Sequence, residues 1–423
     1  MRIKDKGFNL LLHLITVFII FGCVIQVSKA NNILYKTIDI NKTIDIKNFG
    51  AKGDGKSDDT KSIQSALDYI AGIGGGEVVI PKSTGDFLVK ETLYLGANTR
   101  LIFKGSFIRL VHYTKVGTVL INRPLATGIE IINPLIDGSN IFAGGTGENG
   151  ISFGNGGTCY VEGGIIKNCR KGNIANKLGG KAFQIENKNV GSFTVQGTKI
   201  YNCSVALSSQ FDIAQNLREN TSINVKFNNI YAENCGIFLL LIQVNGFKET
   251  KTSHNVSLTN FDAVNCGSDE GVFVFSRACN FKIENGNIKG KNQAFSIIRG
   301  RHSLGYFNNI NVYQSSGSII NLEPSFHATA TTKAEANNYN INILGSTTDV
   351  LRTSPNYKYS NRELLRSKLN ISIAGSVSNG NFLQAQAISN TSEVSIIDRR
   401  SKMQKSVRGN MFDLYNAGSL KSN

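Results

Sequence analysis

The sequence predicts an all-β chain of stacked parallel coils, and three observations predict it. Its 423 residues include 43 Gly and only 5 Pro, with no Trp, and Asn and β-branched residues are abundant. This composition suits many short strands joined by tight turns that need positive φ. The pairs Asn168-Cys169, Asn202-Cys203, Asn234-Cys235 and Asn265-Cys266 recur at intervals of 34, 32 and 31 residues, a period that marks one structural unit per repeat. Within each unit apolar and polar residues alternate, which sends one set of side chains to the coil interior, where equivalents stack on their neighbours.

Residues 1–30 are set aside as a signal peptide. Arg2, Lys4 and Lys6 give a positive start, Leu10 to Val27 an apolar stretch interrupted by His13, and Ser28-Lys29-Ala30 a small-residue cleavage site. Two anchored alternatives stay open: the apolar stretch is near the lower limit for spanning a bilayer, and Ile20-Phe21-Gly22-Cys23 resembles a lipidation site. With cleavage, the mature chain begins at Asn31, has no transmembrane domain, and is secreted, periplasmic or held at the cell surface.

The repeat domain is expected over residues 31–398, opening with a cap at about 44–81. Ile44-Asp45-Ile46 reads as a short strand, the Gly50 to Gly55 run as a turn, and Asp58 as a helix N-cap. Ile63, Ala66, Leu67 and Ile70 then fall at helical spacing on one apolar face, and Gly74-Gly75-Gly76 stops the helix before Glu77-Val78-Val79-Ile80-Pro81 opens the first strand of the coils. The run from Asn48 to Leu67, followed by this Gly-Gly-Gly-Glu-Val-Val-Ile-Pro, resembles the amino-terminal signature of the pectate-lyase-like superfamily, which includes polygalacturonases, rhamnogalacturonases, sugar epimerases and phage tailspikes. The resemblance implies a right-handed single-stranded parallel β-helix with a short N-terminal capping helix. It implies a carbohydrate context as well, but no one reaction, because many chemistries share the cap.

Beyond residue 150 the units Val195 to Cys203, Val225 to Cys235 and Val256 to Cys266 repeat, and later ones begin near Phe281, Tyr306, Tyr339 and Leu369 without the cysteine. Because the cysteines hold one place in the repeat, they read as a buried thiol ladder, with disulfides between stacked neighbours as the alternative. Pro324 to Asn338 and Ser354 to Arg366 are polar insertions that can shape a groove. Residues 399–423, with Arg399, Arg400, Lys402, Lys405 and Arg408, read as a basic C-terminal tail or cap.

A net charge of +16 favours an acidic partner; in an exported chain that points to an acidic polysaccharide rather than nucleic acid. Asp54, Asp58 and Asp59 are assigned to the cap. Gly145 to Gly150 matches a dinucleotide fingerprint by spelling, but no helix pattern follows to hold a pyrophosphate, so it is read as a loop. No metal-ligand cluster stands out. No cofactor is required by any pattern, and calcium stays open for a lyase without a carboxylate cluster to hold it.

The most informative constellation comes from the apolar run that follows each asparagine turn. Aligned by its last residue, each run ends on a long polar side chain: Glu186, Gln243, Arg277, Arg299, Glu323 and Arg352. Stacked along one edge, Arg277, Arg299 and Glu323 are the candidate catalytic residues. Asp269, Glu270, Arg301 and His302 from the adjoining turns, with Gln243 and Arg352, are candidate substrate-binding residues. Arginines pair bidentately with a uronate carboxylate and ease removal of the adjacent ring proton. A base then serves a lyase or epimerase, whereas a hydrolase needs two carboxyl groups, for which Glu323 with Asp269 or Glu270 is the available pair. The alternative is a solvated ladder of salt bridges.

The polygalacturonase motifs Asn-Thr-Asp and Gly-His-Gly are absent, as is the Asp-Pro-His motif of alginate epimerases, and Arg-Ile-Lys does not occur beyond the segment set aside as a signal peptide, where Arg2-Ile3-Lys4 spells it. Two functions follow: an exported enzyme (lyase, glycoside hydrolase or epimerase) acting on an acidic polysaccharide, or a non-catalytic glycan-binding protein of exopolysaccharide assembly or surface attachment.

Overall fold

A computed structural model describes residues 38–111, 117–139, 149–154, 156–170, 180–187, 191–212, 222–244, 253–276, 279–290, 296–301, 304–314, 318–323, 338–346, 351–353, 368–373, 383–384, 393–398 and 403–408. The segment read as a signal peptide, most of the two polar insertions, Arg277 and both His302 and His327 lie outside them. Among the described residues no helix is long and apolar enough to cross a membrane.

The cap starts with the strand Thr43–Asp45, which pairs in parallel with Gly76–Ile80 across the helix Thr60–Gly72. The predicted helical face is the buried one, with Ile63, Ala66, Leu67 and Ile70 fully covered. Its start is corrected by one residue. Asp59 occupies the N-cap position without capping, because its carboxylate is turned the other way and accepts from the Lys52 and Gly53 amides at 2.6 and 3.1 Å. Asp58, one position earlier, does the capping: its Oδ1 accepts from Thr60 N at 3.1 Å and Thr60 Oγ1 at 2.6 Å. Asp54 accepts from Ser57 N and Lys56 N, at 2.7 and 2.9 Å. These contacts push the Asp54 carboxyl down to about 2, and all three carboxylates serve the turn. The helix ends because Gly74, Gly75 and Gly76 take φ of 94°, 110° and 152°, a path that a side chain would strain.

From there the chain winds as a right-handed parallel β-helix. Among the described residues, one sheet of 11 strands (sheet B) receives one strand per coil, while the other two walls form a continuous sheet of 19 strands (sheet A). The coil at residues 191–212 shows the plan: Gly191–Gln196, a bend at Gly197, Lys199–Tyr201, a corner at Asn202-Cys203, then Val205–Asp212 in sheet B. In the next two coils the first two strands merge into Ser222–Glu233 and Ser253–Val264, bent at Asn229 and Asn260 with φ of 53° and 55°. Asparagine recurs at bends and corners because it tolerates the left-handed region better than other side-chain-bearing residues.

The interior is filled by stacked apolar side chains, among them Phe238, Phe261, Phe273, Phe275, Phe281 and Phe307, whose neighbouring ring centroids lie 4.4 to 6.3 Å apart. Cys169, Cys203, Cys235 and Cys266 are buried free thiols, so the disulfide alternative falls for these four. Each Sγ donates to the carbonyl two residues back, at 3.7, 3.4, 3.6 and 3.5 Å in turn. A thiol suits this corner because it fills a small buried site and still satisfies a weak polar atom. Burial pushes the Cys203 and Cys266 thiols above their ordinary range.

Two further expectations are refined. Asn149-Gly150, read as the end of a loop, open the sheet B strand Asn149–Gly154. Within the region read as a basic tail or cap, Met403–Arg408 forms a strand antiparallel to Glu393–Asp398; it is an antiparallel pairing in an otherwise parallel sheet and ends the parallel stacking.

Candidate functional site

Parallel register fixes which residues share a rung. Along sheet B one row runs Tyr94, Ile121, Ser152, Gln184, Ser208, Leu240, Val274, Arg299, Asn321, Arg352 and Gln384. A second row, two residues on, runs Gly154, Glu186, Gln210, Ile242, Ser276, Arg301 and Glu323. Neighbouring rungs are about 4.8 Å apart.

This register corrects the predicted edge. Arg299 and Arg352 belong to the first row, level with Asn321, whereas Glu323 belongs to the second, level with Arg301. Gln243 is level with Phe211, one residue past the second row. The alignment by the last polar residue failed because the strands differ in length: Phe273–Ser276 has 4 residues and Ile237–Val244 has 8. Asp269 and Glu270 sit in the turn closed by Gly271 N to Ser268 O at 3.0 Å. That turn enters Phe273–Ser276 from its amino-terminal end, while the Arg301–Glu323 rung lies at the carboxy-terminal end. Asp269 and Glu270 are therefore not grouped with that rung. Arg299, Arg301, Asn321, Glu323 and Arg352 do stay on adjacent strands of one sheet.

Sequence reading missed a polar cluster lower on the same sheet. Ile151, Phe153, Phe183, Ile185 and Leu207 belong to the interior, whereas Val205, Ile237 and Leu240 pack with Ile242 and Val274 in a separate cluster on the opposite face. The rows through Ser152, Gln184 and Ser208 thus lie on the outer face, yet Ser152, Gln184 and Ser208 are 6%, 8% and 0% exposed. Thr118 and Ser152 share a hydroxyl hydrogen bond of 3.0 Å. Asn149 Nδ2 donates to Gln184 Oε1, and Gln184 Nε2 donates to Glu186 Oε1. Lys181, level with Val205, is 7% exposed. Burial pushes its ammonium below the usual lysine range, and the Glu186 carboxylate opposes that shift. Ser208 Oγ is buried without a hydrogen-bond partner.

The outer face of sheet A is also polar, but its groups answer one another. Asn287 donates to Asp262, Asn311 to Asn287 and Asn342 to Asn311, at 3.0, 3.1 and 3.1 Å. Near the cap Arg109 pairs with Asp86 and Asp137, which Lys167 also approaches, at 2.5, 3.5 and 3.6 Å. These ladders join coil to coil. Among the described residues no group of three or more His, Cys, Asp or Glu is placed to hold a metal ion.

Comparison with known proteins follows the same line. The chain has a right-handed parallel β-helix fold, the fold that the cap signature implied. The A-module of the mannuronan C-5 epimerase AlgE4 of Azotobacter vinelandii aligns over 82% of this chain and 99% of its own, with a TM-score of 0.51 and 16% identity. No family model matches the sequence. Curated relatives match short segments: plasmin and fibronectin-binding protein A of Streptococcus pneumoniae is 46% identical over 59 residues, 14% of this chain and 8% of that protein. Alginate lyase 7 of Azotobacter vinelandii is 41% identical over 61 residues, 12% of this chain and 7% of that protein.

Proposed function

We propose that this chain is an exported protein that holds an acidic polysaccharide along the outer face of sheet B and cleaves or modifies it by lyase, hydrolase or epimerase chemistry. The observation that carries the reading is the set of buried polar side chains on that face, Lys181, Gln184 and Ser208, where the fold itself needs none. A polyhydroxylated chain laid along the solenoid meets a new rung of donors and acceptors about every 4.8 Å. The mannuronan epimerase and the alginate lyase to which the chain is similar both act on a glycan, which agrees with a glycan as the occupant.

The chemistry is assigned to the upper rungs. Arg299 and Arg352, with Asn321 between them on one rung line, are the groups to neutralise a uronate carboxylate, which lowers the cost of taking the ring proton beside it. Glu323, level with Arg301, is the carboxylate for the proton transfer, and Arg277 continues the reading as a third catalytic residue. Gln243, Asp269, Glu270, Arg301, His302 and Arg352 are retained as proposed sugar contacts. No cofactor is part of this reading, and calcium is the additive to vary.

The test is incubation of the purified chain with a panel of uronic-acid and neutral polysaccharides, with and without calcium, reading ultraviolet absorbance of unsaturated products and new reducing ends. Absorbance at the unsaturated uronide band establishes a lyase, and reducing ends alone a hydrolase. Binding of a glycan with neither product rejects catalysis and leaves a binding protein. Absence of both binding and products across the panel rejects the glycan reading.

A further inference from the structure

The lower part of the sheet B face has donors that the fold does not ask for. At the rung of Lys181 the next two coils carry Val205 and Ile237, and at the rung of Ser208 the next coil carries Leu240. Apolar residues therefore satisfy both positions structurally. In place of them this chain buries an ammonium and a hydroxyl, each of which costs stability unless a partner answers it.

The Gln184 amide is already engaged on both atoms, by Asn149 and Glu186. Glu186 is exposed, so it offsets the Lys181 charge only through solvent-screened attraction. The missing complement is an acceptor-only group that carries negative charge and two oxygens, which is the definition of a carboxylate.

We propose that Lys181 and Ser208, flanked by Gln184 and Asn149, form a subsite that binds the carboxylate of an acidic sugar on the outer face of sheet B. The proposal rests on the reading of that face as a glycan groove, and it assigns the acid preference to two residues, Lys181 and Ser208, that the sequence pattern did not single out. The carboxylate takes the Lys181 ammonium and the Ser208 hydroxyl as donors, while the neighbouring amides keep the remaining sites for ring hydroxyls.

The test uses the full chain and three variants, Lys181→Met, Ser208→Ala and the pair combined. Calorimetric titration is run with short galacturonate and mannuronate oligomers and with their carboxyl-reduced, neutral counterparts. Wild type is expected to prefer the acidic oligomer by about tenfold or more, the usual strength of a charge-assisted hydrogen bond. Lys181→Met is expected to erase that preference and keep neutral binding, and Ser208→Ala to reduce it by a few-fold. Unchanged preference in all three variants overturns the subsite while leaving the groove standing. If wild type binds neither acidic nor neutral oligomers, the groove reading falls and the subsite falls with it.

Discussion

The corner asparagines allow a prediction whose size follows from the structure. Asn202 holds φ of 54° with no side-chain hydrogen bond among those found, and its amide donates to Glu233 O of the next coil at 3.0 Å. Asn168 holds φ of 59°, and its Nδ2 also donates to Asp137 Oδ1 at 2.9 Å, a carboxylate whose residue is 4% exposed. Alanine at Asn202 must take the left-handed region, which costs about 1 kcal/mol. Glycine takes it freely but adds disorder to the unfolded chain, so Asn202→Gly should fall within about 0.5 kcal/mol of wild type. At Asn168 either substitution also removes a hydrogen bond to a buried charged group, about 1.5–3 kcal/mol more. The expected order is Asn202→Gly, Asn202→Ala, Asn168→Gly, Asn168→Ala, with the last costing roughly 3 kcal/mol. Urea denaturation followed by circular dichroism measures each midpoint, and slopes must stay equal for the comparison to hold. If Asn202→Gly costs as much as Asn202→Ala, or Asn168→Gly no more than Asn202→Gly, the account of the corner is wrong.

Three further outcomes are expected. Cys169, Cys203, Cys235 and Cys266 should resist a thiol reagent in the native chain and react fully once unfolded, because burial keeps the reagent from their sulfur atoms; fast native reaction at these positions would contradict the ladder. Asp54, pushed down to about 2, lends the cap stability that is present above the unfolded carboxylate value and lost as pH falls through about 2. Protection of the Lys56 and Ser57 amides, taken relative to the unfolded chain at the same pH, should therefore fall between roughly pH 4 and pH 2, and an unchanged protection there would refute the role. The folded pKa of Lys181 is depressed, so its burial destabilises the chain below that value and the penalty fades as pH rises toward the unfolded lysine range. Lys181→Met should accordingly raise the melting temperature at neutral pH and raise it less in alkali, and a lowered melting temperature at neutral pH would show that the lysine is structural.

Most of the fold was legible because its signals are local. The Asn-Cys pairs mark a corner that needs a left-handed residue followed by a small buried one, and the apolar face from Ile63 to Ile70 marks the cap helix. The site was less legible because rung membership depends on the corner that starts each strand and not on the polar residue that ends it. Aligning Arg277, Arg299 and Glu323 by strand ends therefore put Glu323 level with Arg299, when its partner is Arg301. Lys181 escaped for a related reason. Simple alternation groups it with Phe183 and Ile185 inside, yet its rung partners Val205 and Ile237 pack outside the main core with Leu240.

The most direct test of the glycan groove is to obstruct it. Ser208→Trp places a bulky ring on the outer face of sheet B, and Lys226→Trp places the same ring on an exposed position of sheet A as a control. Both are titrated with the acidic oligomers that bind wild type, with circular dichroism confirming the fold. The account predicts loss of binding in Ser208→Trp alone; retained binding there, or loss in Lys226→Trp instead, would place the glycan elsewhere on the solenoid.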